Sequence, residues 1–338
     1  MTATHPVQRA IIATLMVAVA VGVALGLAEG LTRFFLPAFD PSGRFEFRHR
    51  VGSLSLGQPG IKQRQVKNTG DYDVAVNINR HGLRDTKDIA RATADDLIVV
   101  GDSVAWGWGV EASDRFSDRL QAMTGRRVFN LATPTDLAGY EALLAYAKSL
   151  GAQIGQVIVA VSLETDLGSY SAVAERAEDR TQTADWKQWL AERSAAYLLL
   201  TTMVHQTPGL KALAVRAGAI VPNLEGMARN SYEAEAIEAS AGKLQGLSTR
   251  HRLLVVLVPS RALWVGGNRA VEDRIHTALA AALAERGVAL LDLRPLFEAS
   301  GAPLGFHFAT DGHWNARGHR LAAEAIAQCL KGGTEACR

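Results

Sequence analysis

The sequence predicts an α/β protein: a three-layer α/β/α domain on a five-stranded parallel sheet, preceded by one N-terminal transmembrane helix. Two observations carry this. Short runs rich in Val, Ile and Leu recur between helical stretches, and one uncharged apolar segment lies near the start of the chain. The runs are DLIVVGDS (96–103), RRVFNLAT (126–133), QVIVAVSLE (156–164), HRLLVVLVPS (251–260) and GVALLDL (287–293). Continuous apolar runs bounded by turn residues suit strands buried on both faces of a parallel sheet. Between them, AGYEALLAYAKSLG and VEDRIHTALAAALAERG read as helices, the second stopping at Gly287. In such a domain, sites form at the carboxyl ends of the strands.

The N-terminal segment, Ala10 to Ala28, carries no charge. Roughly 20 apolar residues cross the hydrocarbon core as a helix, so residues 1–29 read as an anchor. Gly26-Leu27-Ala28 matches a signal-peptide exit only weakly, which favours an uncleaved span. Arg33, Arg44, Arg48 and Arg50 follow the span and by charge alone place the domain in the cytoplasm. Residues 30–70 read as an irregular juxtamembrane linker and 71–338 as the main domain. Val74, Val76 and Ile78 alternate with smaller or polar residues in a short β element before the main sheet. Residues 170–245 contain no convincing strand and read as a helical insertion.

Composition narrows the function classes. The 338 residues are 48% apolar, with 36 basic and 34 acidic side chains and a formal charge of +2. No Lys/Arg run marks a nucleic-acid face. Neither GxGxxG nor a P-loop lysine follows the first strand, which argues against dinucleotide or nucleotide binding. The two cysteines, Cys329 and Cys337, lack zinc-site spacing. They either close a short disulfide loop or are two unrelated thiols, and the spacing leaves both open. No cofactor or metal is expected.

Gly101-Asp102-Ser103 closes the first strand, so Ser103 projects at the rim of the sheet, where the following helix would aim its amides. A serine hydroxyl needs a base to take its proton. Near the C-terminus, Asp311-Gly312-His313-Trp314-Asn315 puts a carboxylate and an imidazole in one short loop, with Asn315 as N-cap of the last helix. A carboxylate that orients the imidazole completes a triad. His307 is an alternative base without a carboxylate at short spacing, and His319 reads as a surface or packing residue.

GDSVAWGWGV and DGHWNARGH resemble the first and last motif blocks of the SGNH/GDSL hydrolase superfamily. With NINRHGLRD and the anchor they look like a membrane-tethered bacterial subgroup similar to proteins that acetylate alginate and related exopolysaccharides. The resemblance implies a flavodoxin-like SGNH domain, a Ser103–His313–Asp311 triad and an ester or acyl-donor substrate linked to a cell-envelope or exported glycan. It also implies a periplasmic domain on the inner membrane and a membrane-bound O-acyltransferase partner. Two blocks depart from the family pattern. Thr135 stands where the oxyanion glycine is expected, and Thr165 replaces the asparagine of the third block, within Leu163-Glu164-Thr165-Asp166. Losing one oxyanion donor costs about 10²–10³ in rate. The expected oxyanion hole is therefore Ser103, Thr135 and Thr165. Asp102, Trp106, Trp314 and Arg261 are expected to meet substrate, against a core reading for the tryptophans and an ion-pair reading for Arg261. The competing function is a catalytically silent scaffold that binds a glycan or a membrane protein complex.

Overall fold

A computed structural model describes residues 6–163, 166–168, 185–220, 233–332 and 337. The chain divides into two units, Met1–Arg44 with Asn68–Gly70 and Gln182–Ile220, and Phe45–Lys67 with Asp71–Thr181 and Val221–Arg338.

The larger unit is built on five parallel strands: β5 (Leu97–Gly101), β6 (Val128–Asn130), β7 (Gln156–Ser162), β8 (Arg252–Val258) and β9 (Leu290–Asp292). Their order is β6-β5-β7-β8-β9, with Gly101 opposite Ala160 and Ser162 opposite Val258. Chain order reverses at β5, the point where doubly wound sheets open a crevice. Successive strand residues face opposite sides, and here both sides are covered. Ile98, Val100, Val157, Val159, Val255 and Leu257 join one core cluster. Leu97, Val99, Ile158, Ala160, Leu254 and Val256 join the other. That double burial is why these strands read as unbroken apolar runs.

The first face is covered by α4 (Leu137–Ser149), α8 (Ala234–Arg250) and α9 (Arg269–Glu285), the second by α3 (Phe116–Thr124), α10 (Arg294–Ala299) and α11 (Ala316–Gly332). Asp136 caps α4 by accepting from Gly139 N at 3.0 Å, and α9 stops before Gly287, whose φ is +66°. Cys329 and Cys337 are joined in a disulfide that ties the chain end to α11.

Two assignments change here. The stretch read as an irregular linker holds β1 (His49–Val51), β2 (Leu54–Leu56) and β3 (Lys62–Val66). β1 pairs with β2, and β3 pairs with β4 (Asp73–Asn77), both antiparallel. β3 reads KQRQV and buries little, so its strand character comes from its partner rather than from its own pattern. The helical insertion is also shorter than expected. Its last part, α8, buries Ile237, Ala241 and Leu244 in the core as the crossover between β7 and β8.

In the smaller unit, α1 (Pro6–Phe35) contains a stretch, Ala10–Phe35, of mean hydropathy 2.6, long and apolar enough to cross a membrane or to serve as a signal sequence. With no proline between Pro6 and Pro37, the helix continues past the expected end of the anchor. Among its described residues the unit also holds three short α-helices: α5 (Asp185–Arg193), α6 (Ala195–Gln206) and α7 (Pro208–Arg216).

Candidate active site

Ser103 begins α2 (Ser103–Trp106), a single turn directly after β5. The turn is tight because Gly101 has no side chain: a Cβ there would stand 2.5 Å from Ala105 Cβ and 3.0 Å from Ala160 O. Asp102 caps the turn, its carboxylate accepting from Val104 N at 2.9 Å. One turn carries little of the helix dipole expected from the sequence. What it does is aim a half-buried hydroxyl out of the sheet end.

The opposing loop carries Asp311 and His313. His313 Nε2 lies 2.8 Å from Ser103 Oγ. Its Nδ1 is hydrogen-bonded to Asp311 Oδ1, which also accepts from His313 N at 3.0 Å. Two segments 210 residues apart in sequence thus meet in the order nucleophile, imidazole, carboxylate.

Asp311 is buried, and burial alone would raise its pKa. The hydrogen bond and charge of His313, followed by the nearby Lys67 ammonium, outweigh this and hold the carboxyl well below its usual range. Lys67 Nζ stands 2.9 Å from Asp311 Oδ2, and the Tyr72 hydroxyl donates to the same oxygen at 3.3 Å. Tyr72 also accepts from Trp108 Nε1 at 2.7 Å, and Trp108 stacks on the His313 ring with centroids 5.3 Å apart. Burial, then the Asp311 charge, pushes the Tyr72 phenol far up, so it stays a donor. The sequence did not single out Lys67 or Tyr72. Neither belongs to a motif, and only the β3–β4 hairpin brings them to Asp311.

Arg261, expected at the substrate, is 7% exposed and donates to three carbonyls of the Asp311 loop: Phe308 (3.3 Å), Ala309 (3.0 Å) and Asp311 (2.8 Å). Trp106 and Trp314, expected likewise, are each 1% exposed and packed in the core, Trp106 against Phe45 and Trp314 against Phe297. Asp102 and Thr135 do line an open space. Together with Ser103, Pro134 and Asp136 they border a cavity of about 310 Å³. Gly139 keeps this loop in place, since a Cβ there would fall 1.8 Å from Thr135 Oγ1. Among the described residues, no hydrogen bond occupies the N–H of Ser103 or of Thr135.

Thr165 lies outside the described residues. Its neighbour Asp166 is fully buried at the end of β7, accepting from Ser162 N at 2.7 Å and from the Tyr140 hydroxyl at 2.9 Å. Burial, with the charge of Asp102, raises Asp166 well above the usual carboxyl range. His307 is sealed against Trp264 and Phe297. His319 is 1% exposed in the core, accepting from Phe116 N at 3.4 Å. Asn315 caps α11 as expected, its Oδ1 accepting from Arg317 N at 2.9 Å.

Residues 217–336 match the family model of an SGNH hydrolase-like domain, that of the acetyltransferase AlgX. This supports the SGNH superfamily and its AlgX-like branch, and with it a fold of the esterase or acetyltransferase kind. The matched segment contains Asp311 and His313 but begins well after Ser103. Among solved structures, a lipolytic G-D-S-L family protein from Veillonella parvula is similar at 15% identity and a TM-score of 0.41, covering 68% of this chain and 94% of that one. A catalytic mutant of Axe2, an acetylxylan esterase from Geobacillus stearothermophilus, is similar at 11% identity and a TM-score of 0.41, covering 73% and 98%. Likenesses at that level carry no further argument. No curated protein sequence matches the chain.

Proposed function

We propose that the protein is a membrane-anchored serine esterase or O-acyltransferase acting on an ester of a cell-envelope or exported glycan. The observation that carries this reading is the contact of His313 Nε2 with Ser103 Oγ at 2.8 Å, with Asp311 on the other ring nitrogen.

In the reaction, Ser103 Oγ attacks the acyl carbonyl and its proton passes to His313 Nε2. Asp311 stabilises the imidazolium and fixes the tautomer. The oxyanion takes hydrogen bonds from the N–H groups of Ser103 and Thr135, with Thr165 as the third donor. Collapse breaks the ester C–O bond, and the leaving oxygen receives the proton from His313. A water or sugar hydroxyl then gives its proton to His313 and attacks the acyl-serine, and as the acyl–Oγ bond breaks His313 returns that proton to Ser103 Oγ. The cavity beside Ser103 and Thr135 receives the acyl group. The AlgX-like match favours acetyl as that group and a sugar hydroxyl as the acceptor, supplied with acyl groups by a membrane-bound O-acyltransferase. α1 serves as an uncleaved inner-membrane span with the larger unit in the periplasm, a reading supported by the Cys329–Cys337 disulfide, which persists in an oxidising compartment.

The altered second and third blocks favour one other reading, a silent scaffold. Labelling with a fluorophosphonate serine probe separates the two. Ser103→Ala should abolish labelling, and His313→Ala should slow it by at least about 10³-fold. A folded wild type that takes no label would transfer the case to the scaffold.

A further inference from the structure

The smaller unit holds a feature that the serine chemistry leaves unused. Each of its three short helices displays an exposed apolar pair spaced i, i+3: Trp186 and Trp189 on α5, Leu200 and Met203 on α6, Leu210 and Leu213 on α7. Exposures run from 43% at Leu210 to 63% at Leu213. Residues three apart share a helix face, so each helix presents an apolar stripe that is exposed among the described residues. Basic side chains accompany the tryptophans. Lys187 Nζ lies 5.6 Å from the Trp186 ring centroid and the Arg193 guanidinium 5.4 Å from that of Trp189.

These helices are fixed to α1 at a defined depth. Glu29 and Arg33 are the first charged residues after the apolar stretch, so they mark where α1 leaves hydrocarbon. Glu29 accepts from Ser194 Oγ at 2.8 Å and from Ala195 N and Ala196 N at 3.0 Å each, which caps the start of α6. Arg33 donates to Glu29 and Asp40, each at 2.7 Å, and to Arg193 O at 2.6 Å. The end of α5 and the start of α6 are thereby held at the same level as the end of the span. Exposed Phe34 and Phe35 sit at that level too. Aromatic side chains with Lys and Arg beside them are the residues that settle into the headgroup region.

We infer that α5, α6 and α7 form a second, monotopic membrane contact: an interfacial layer whose Trp, Leu and Met pairs enter the bilayer surface and whose Lys187, Arg193, Lys211 and Arg216 meet anionic headgroups. The inference rests on α1 as the span and is independent of whether Ser103 is active. It gives α1 a second contact with the bilayer, so that the smaller unit is held to the membrane at two places rather than one.

The test uses the full chain in nanodiscs of phosphatidylethanolamine and phosphatidylglycerol, with or without brominated acyl chains. Two of the six tryptophans are Trp186 and Trp189. Brominated lipid should quench the wild type by roughly a third more than Trp186→Phe/Trp189→Phe, taking equal emission per ring, and the variant should keep its thermal midpoint. A polarity-sensitive dye on Leu213→Cys should shift to the blue when the discs contain anionic lipid. Equal quenching of the two proteins overturns the proposal, as does a dye that stays in a water-like environment. A Leu213→Cys protein that cross-links into dimers while resisting lipid quenching overturns it in favour of a second copy as occupant. Failure of the wild type to enter discs removes the span and the proposal with it, whatever the serine probe shows.

Discussion

Lys67 is the residue outside the candidate triad that, after His313, acts on the charge state of Asp311. Its ammonium lies 2.9 Å from Asp311 Oδ2, with the lysine side chain 28% and the aspartate side chain 6% exposed, so the pair is partly shielded from solvent. A charge-assisted hydrogen bond of this kind contributes about 1.5–3 kcal/mol before solvent screening. Asp311 has its folded pKa depressed, first against burial by His313 and then by Lys67. A depressed carboxyl contributes stability that is present above its unfolded pKa, about 3.9, and is lost as pH falls toward the folded value. Lys67→Met raises the folded pKa of Asp311 without removing the His313 contact. Its thermal midpoint should therefore fall a few degrees below wild type at pH 7, and the gap should narrow only as pH falls through the variant's own raised Asp311 pKa toward the lower wild-type one. A gap that stays constant through the whole acid limb of folding would show that lost packing, not the Asp311 charge, is what Lys67 supplies. Ser103, Asp311 and His313 were legible in the sequence because each sits in a short motif beside a recognisable element. Lys67 was not, because its strand has no apolar period and its partner is 244 residues away.

At the scale of elements, the loop that carries Asp311 has little core of its own and is held by other parts of the unit. Arg261, in the turn after β8, donates to the carbonyls of Phe308, Ala309 and Asp311. Asp71, ahead of β4, accepts from Thr310 N at 3.3 Å and from its hydroxyl. A planar guanidinium spreads its donors over two fixed nitrogens, which here reach the three carbonyls, whereas an ammonium offers a single nitrogen at one point. Arg261→Lys should therefore slow fluorophosphonate labelling about 10- to 100-fold, a loss typical of displacing a reacting group by about 1 Å. Circular dichroism should be unchanged. Labelling at the wild-type rate would show that the loop keeps its place without those bonds. The sequence marked Arg261 as notable, either at substrate or paired with a carboxylate, and nothing in VPSR shows that the guanidinium reaches the carbonyls of the Asp311 loop. β5, β7 and β8 were legible for the opposite reason: burial on both faces makes each an apolar run independent of its neighbours. The β1–β2 and β3–β4 hairpins are legible only through pairing, and α8 was mistaken for insertion because polar segments on its N-terminal side hid its amphipathic stripe.

At the scale of the whole molecule, acid stability follows from where the histidines are placed. His307 and His319 flank the Asp311–His313 loop and are both sealed in the larger unit. Burial, then the Arg261 charge, pushes His307 down to about 4; burial, then the Arg115 and Arg84 charges, pushes His319 to about 3. Unfolding restores both to about 6.5. Above that pH both states hold the rings neutral and stability is fully present. As pH falls from about 6.5 toward the folded values, unfolding takes up two protons, and stability drops by up to roughly 1.4 kcal/mol per pH unit for each ring. This window lies above the one for Asp311, so the two effects separate along the pH axis. His319→Asn removes one titrating ring while its carbonyl can still accept from Phe116 N. Between pH 6.5 and 5 the thermal midpoint of the wild type should slope downward with acid, and that of His319→Asn should slope about half as steeply. A variant with an unchanged slope would mean that His319 takes up no proton on unfolding, and that the acid sensitivity of the site region belongs to His307 or to the triad itself.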